Sequence, residues 1–467
     1  MRVGSWRWSG VLGAFLVILG CVSNASAVSP LKDTPHWRDI HAVEARDGVR
    51  SYVFSYEGVG KEASNPTTIV MQPGYTQTPA SVESVARDYL IAGAKVDIGQ
   101  VREAGREIVS GKGRYNGLQE IFFNDGVAHL VDVFRRNEGK PIALWGNSMG
   151  GLIWLAILTN PHVRKDVVRQ AQAVCPPNSP IQWVDDLDGR MIESLQVIGS
   201  PSHFRSIQHN NRRLVQFVHK RLDLVVHLAE RIPDSVLNFV QRSFDEAYRL
   251  DRTGRLRDKM KAAAIRATLV APVSAIMKYG IADAKYIKKE DLRRFVAKGF
   301  SAIPREPGVE FLHAIGDGEI LGRRNGHYEN PEIMAPLEGR PLLQLALFPA
   351  SIPVLIVSPD DDLFCPTCEQ KDLFDGLPDG NKAWLRVPGK GHLYFMEDRL
   401  REVNKPTIDF FRDPRGFIER QNKSRAHFST THSCSVLLGS GDDEVENTRA
   451  ESVGLGARIL SQLGRRR

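Results

Sequence analysis

Short apolar runs closed by Pro, Gly or Asp alternate along this chain with stretches whose apolar residues fall at helical spacing. Thr67–Met71 reads as a buried strand ending at Pro73-Gly74, and Ala94–Ile98, Pro141–Trp145, Ala171–Cys175, Ile352–Val357 and Ala383–Val387 read likewise. Between them, Val127, Leu130, Val131, Val133 and Phe134 predict a helix over 124–136, Leu152–Leu158 a buried helix, and Arg399–Phe411 a final one. This alternation predicts the α/β class, a mostly parallel sheet covered by helices on both faces. The long stretch 176–340 has few strand signals. Its pieces Leu214–Ile232, Ser235–Leu250 and Lys259–Lys278 have helical periodicity, so it is expected to be a helical cap inserted before the strand at Ile352. Apolar residues there, such as Phe217 and Leu222, would either line an acyl pocket or pack the cap on the core.

The division expected is therefore 28–175 and 341–413 for the two parts of the core, 176–340 for the cap and 414–467 for a polar, weakly ordered tail. Residues 1–27 differ from all of this. Arg2 and Arg7 precede an apolar run from Val11 to Val22, followed by Ala25-Ser26-Ala27, the pattern of an export signal cleaved before Val28. The run is short of the roughly 20 residues a bilayer span needs. Ile18-Leu19-Gly20-Cys21 also loosely matches a lipoprotein cleavage box, so anchoring through Cys21 at a membrane surface is an alternative to release.

Composition adds little to the fold but narrows the function. The net charge is +7, yet the basic residues are dispersed among acidic ones, which argues against a nucleic-acid partner. Without Cys21, the cysteines are Cys175, Cys365, Cys368 and Cys434. In an oxidising compartment the C-x-x-C pair Cys365 and Cys368 is the expected disulfide. Two cysteines make too small a zinc site unless distant histidines join them, and neither metal nor cofactor is expected.

The candidate chemistry centres on Gly146-Asn147-Ser148-Met149-Gly150, set between a strand and a helix. A tight turn there, with glycine on either side, projects the Ser148 hydroxyl as a nucleophile. A hydroxyl needs a base, and His392, in a glycine-bearing loop after the Ala383–Val387 strand, is placed to serve. A carboxylate must orient that base. Asp360, Asp361 and Asp362 stand together after the preceding strand, and counting from Pro353 and Pro366 favours Asp362. The main-chain N–H groups of Met149 and Tyr75 are the expected oxyanion donors.

With these residues in place, the chain resembles the monoacylglycerol lipase and lysophospholipase branch of the α/β-hydrolases. The likeness is carried by Pro73-Gly74, Tyr89-Leu90-Ile91-Ala92-Gly93, Arg102 with Gly105-Arg106, Asn147-Ser148-Met149-Gly150-Gly151, and Gly391-His392 followed by Phe395-Met396-Glu397. It implies the α/β-hydrolase fold and hydrolysis of a single-chain lipid ester. Three positions depart from the branch: Asn147 and Gln72 stand where histidine is usual, and Glu103 where glycine is. The expectation is an exported serine hydrolase acting on a small-molecule or lipid ester through an acyl-enzyme on Ser148. An amide hydrolase with the same triad, and a non-catalytic binding protein of the same fold, are the alternatives.

Overall fold

The computed structural model describes residues 37–56, 67–75, 77–102, 117–203, 250, 255–265, 310–311, 314, 319–321, 339–360, 362, 365–392 and 401–424. The expected export signal, Cys21, most of the expected cap and residues 425–467 lie outside these residues.

Eight strands form one sheet: β1 (Trp37–Glu44), β2 (Arg50–Tyr56), β3 (Thr68–Gln72), β4 (Lys95–Gln100), β5 (Ile142–Asn147), β6 (Ile192–Ile198), β7 (Val354–Pro359) and β8 (Lys382–Val387). Their spatial order is β1-β2-β4-β3-β5-β6-β7-β8. β2 is antiparallel to both its neighbours, and every pair from β4 to β8 is parallel. A mostly parallel sheet in this order with its second strand reversed is the α/β-hydrolase fold, as the sequence led us to expect.

The longer helices are α1 (Glu83–Ile91), α2 (Gly126–Arg136), α3 (Met149–Thr159), α4 (Pro161–Val174), α5 (Leu256–Ile265), α6 (Thr367–Gly376), α7 (Arg401–Arg412) and α8 (Pro414–Ser424). Side chains alternate across each strand. Val70, Leu144, Leu195 and Ile356 therefore face the layer containing α2, α3 and α4, while Ile69, Trp145, Ile198 and Leu355 face α1, α7 and α8. Every residue of α3 is buried, which is why its sequence is apolar on all sides.

Three expectations need correction, and one hairpin was not anticipated. Ala171–Cys175 is not a strand but the end of α4 and its cap. Asn160 accepts hydrogen bonds from the N–H groups of His162 and Val163, Pro161 opens the helix, and Val163, Val167, Val168 and Ala171 follow its buried stripe. The strand beside β5 is instead β6, inside the stretch assigned to the cap, so the core's first part runs on to about Gly199. β6 was masked by its buried polar residues. Gln196 accepts from the Tyr89 hydroxyl at 2.7 Å and donates to the Thr407 carbonyl at 3.1 Å, partners no local pattern reveals. The tail does not begin at 414, because α8 continues the fold: Phe417 and Ile418 are buried, and the Phe417 ring meets Phe410 edge-on at 5.6 Å. Finally, the β1–β2 hairpin was overlooked, although Asp47-Gly48 is a turn signal and Gly48 adopts φ 70°.

Two buried polar clusters tie this frame together. Arg102, after β4, pairs with Asp125 and with Asp47 in the hairpin turn, the guanidinium and the Asp125 carboxylate both being buried. His129 of α2 lies wholly inside, its Nδ1 at 3.2 Å from Gln72 Oε1 and its Nε2 at 2.9 Å from Ser51 Oγ. Burial holds His129 down to about 4. The unfolded imidazole takes up a proton near pH 6.5, while the folded one stays neutral until about 4. Stability from this site is thus complete above pH 6.5 and is lost as pH falls toward 4, by about 3 kcal/mol. Urea unfolding of wild type and His129→Gln at pH 7.5 and pH 4.5 is expected to show a smaller acid-induced loss in the variant; equal losses would rule out His129 as the source.

Candidate active site

β5 ends at Asn147 and α3 begins at Met149, leaving Ser148 alone to turn the chain from strand to helix. Its backbone sits at φ 52°, ψ −121°, a conformation that side-chain-bearing residues rarely adopt. The surrounding glycines make the turn possible. A Cβ on Gly150 would lie 1.8 Å from the carbonyl oxygen of Gln72, and one on Gly146 would lie 2.5 Å from the nitrogen of Gly151. The N-terminus of α3 is thereby pressed against the end of β3. Gly74, in the loop after β3, is equally close to the turn, since a Cβ there would meet that of Ser148 at 3.0 Å.

Asn147 holds this loop to the turn. Its Oδ1 accepts from Gln77 Nε2 at 3.1 Å, and Gln77 Oε1 accepts the Gly74 N–H at 3.0 Å. On the other side, Asn147 Nδ2 and the Ser148 N–H both donate to the carbonyl of Ile198 at the end of β6, at 3.2 Å and 2.8 Å. The residue that departs from the resembling branch is thus a strut between the loop after β3 and the end of β6. Met149 opens α3, where first-turn N–H groups have no acceptor within the helix. Tyr75 adjoins Gly74, and its ring centroid lies 4.8 Å from that of Phe311.

The three aspartates after β7 separate clearly. Asp360 pairs with Arg386 at 2.9 Å, Asp361 lies outside the described residues, and Asp362 Oδ2 is 2.7 Å from Nδ1 of His392. The other oxygen of Asp362 accepts the Cys365 N–H at 2.9 Å, and both members of the Asp362–His392 pair are buried. Gly199, at φ 51°, packs beneath the pair: a Cβ there would lie 2.8 Å from Asp362 Oδ2 and 3.3 Å from His392 Nδ1. The adjacent residues Ile198 and Gly199 consequently join the serine turn to the acid–base pair.

The chain has the α/β-hydrolase fold. Among solved structures it is similar to a thermophilic esterase from Thermogutta terrifontis, at 14% identity over 80% of this chain and 98% of that one, TM-score 0.36. It is also similar to the esterase RhEst1 from Rhodococcus sp. ECU1013, at 15% identity over 80% and 99%, TM-score 0.39. A third likeness is to MenH from S. aureus, at 14% identity over 83% and 100%, TM-score 0.39. The sequence matches no protein-family profile and no curated protein. The fold assignment accordingly rests on the strand order.

The expected Cys365–Cys368 disulfide does not form. Cys365 keeps a free thiol, whereas Cys368 is disulfide-bonded elsewhere. Cys365 is folded inward behind Asp362, and Cys368 stands in the first turn of α6. Burial, with the charges of Asp362 and Glu369, pushes the Cys365 thiol well above its ordinary value, so it is inert as a nucleophile.

The chain leaving β6 is fastened to the same helix. Gln370 of α6 donates to the Ser200 carbonyl, Ser202 donates to that of Glu369, and His203 binds Asp372 at 2.8 Å. Burial alone would lower the His203 value, but Asp372 and Glu369 raise it to about 9, leaving the imidazolium charged at neutral pH.

Sequence reasoning had no signal for Gln77, and it missed Gly199 because it missed β6. Gln77→Ala would leave the Gly74 N–H and Asn147 Oδ1 without these partners. It is expected to lower kcat on an activated ester by about tenfold with little change in KM, less than the 10²–10³ lost when an oxyanion donor is removed outright. A kcat equal to wild type in steady-state assays would remove Gln77 from the positioning scheme.

Proposed function

We propose that this chain is an exported serine hydrolase that cleaves a carboxylic ester through an acyl-enzyme on Ser148. The observation that carries the reading is the strained Ser148 turn joined, through Ile198 and Gly199, to the buried Asp362–His392 pair. Ser148 Oγ attacks the ester carbonyl as His392 Nε2 takes its proton, and Asp362 at Nδ1 fixes the tautomer and stabilises the imidazolium that forms. The N–H groups of Met149 and Tyr75 receive the oxyanion. His392 then returns the proton to the leaving alcohol, and water resolves the acyl-enzyme by the same route in reverse.

The substrate class we assign is a single-chain lipid ester, a lysophospholipid or monoacylglycerol, on the likeness of the motifs around Arg102, Ser148 and His392. The 1–27 leader supports export, and a lipid anchor on Cys21 would place the enzyme at a membrane face. Among the described residues no helix is long and apolar enough to cross a membrane.

A fluorophosphonate probe is expected to label wild type and not Ser148→Ala, and Asp362→Asn to lose about 10⁴ in kcat. Lysophospholipid or monoacylglycerol is expected to be turned over in preference to an aminoacyl-arylamide. Exclusive arylamide cleavage would replace the ester by an amide, and folded wild type that takes no label would leave a binding protein.

A further inference from the structure

The fold brings a distant histidine to the C-x-x-C segment, at Cys365 alone, with Asp362 rather than a second cysteine beside it. Ligand atoms of Asp362, Cys365 and His392 all lie within 4.8 Å of one another, and all three residues are buried. Carboxylate, thiolate and imidazole are the donor types that Zn²⁺ selects, and Mg²⁺ and Ca²⁺ do not use the sulfur. His392 Nδ1 is the nitrogen that bonds Asp362, not the one assigned to the serine.

We propose that Asp362, Cys365 and His392 form an inhibitory site for a soft divalent cation of the Zn²⁺ type, built behind the acid–base pair. This rests on the proposed triad only for its effect on activity, since the binding itself needs no catalysis. The step balances without an oxidant. The Cys365 S–H bond breaks and its proton leaves to solvent, as a metal–sulfur bond forms. The proton on His392 Nδ1 is released while Nε2 takes one up, so imidazole stays neutral and binds the metal through Nδ1. One carboxylate and one thiolate then cancel the two charges of the ion, and a neutral cluster is the form a buried site tolerates best. The consequence for the enzyme follows from the tautomer. With the metal on Nδ1, Nε2 carries the hydrogen and can no longer accept one from Ser148.

The test uses the mature chain, stripped with EDTA and dialysed into buffer free of thiol reductant. Zn²⁺ binding is measured by equilibrium dialysis with metal analysis, and hydrolysis of a short nitrophenyl ester is followed over the same Zn²⁺ range. Wild type is expected to bind one Zn²⁺ per chain and to lose activity in step with binding, with EDTA restoring it and Mg²⁺ having no effect. Cys365→Ala and Cys365→Ser, each compared with its own metal-free activity, are expected to weaken binding and inhibition together. Loss of a direct ligand should cost at least the roughly 10–100-fold typical of outer-shell partners. Ser148→Ala is expected to bind Zn²⁺ as wild type does, and it keeps the two questions apart. Wild type without esterase activity but with Cys365-dependent binding defeats the proposed function and keeps the site. Zn²⁺ held equally by wild type and both Cys365 variants, or not at all by wild type, overturns the site.

Discussion

The carbonyl oxygen of Gln72 occupies the space where a side chain at position 150 would have to stand, 1.8 Å from its ideal Cβ. That contact sets the distance between the end of β3 and the start of α3, and much of the site follows from it. Only with α3 so close to β3 can the loop carrying Gly74 and Tyr75 reach the Ser148 turn. The turn itself, at a backbone conformation costing about 1–3 kcal/mol, is held on its other side by the Ile198 carbonyl. The strain is therefore borne by sheet strands on both flanks, elements that do not yield easily.

Around this contact the fold spends buried polar groups in an ordered way. Asn147 and Gln77 bridge the loop to the turn, Gln196 links α1 to α7 across β6, and Arg102 fastens the hairpin to the helical layer. Each of these groups finds partners from distant parts of the chain, so each is satisfied only in one register of the sheet. Apolar packing alone would tolerate sliding of parallel strands by two residues; these hydrogen bonds would not.

The sequence made the central sheet legible where strands were uniformly apolar. β3, β5 and β7 are buried on both faces, so their composition needs no context. It failed at β6, whose Gln196 looks like a solvent-facing residue until Tyr89 and Thr407 arrive, and at Ala171–Cys175, where a helix's buried stripe ends in a run of small, mostly apolar residues. The turn at Ser148 and the pairing of Asp362 with His392 were readable because chain order and turn residues constrain them. Gln77 was not readable, because a glutamine in a loop has no pattern. The cysteines misled because C-x-x-C spacing permits a bridge but does not compel one; the inward fold of the loop after β7 decides it. The hairpin at Asp47-Gly48 carried its signal openly and went unread.

The four residues after Gly199 are bound to α6 through Ser200, Ser202 and His203, the last by a charged contact. α6 in turn packs on β7 and β8, the strands that carry Asp362 and His392. The chain thus leaves β6 through a clamped root. A pull on the chain at His203 acts first on this clamp, before it reaches Gly199 or the Asp362–His392 pair packed against it. The 2.7 Å contact between Asp362 and His392 is thereby mechanically insulated from whatever follows His203 in the chain.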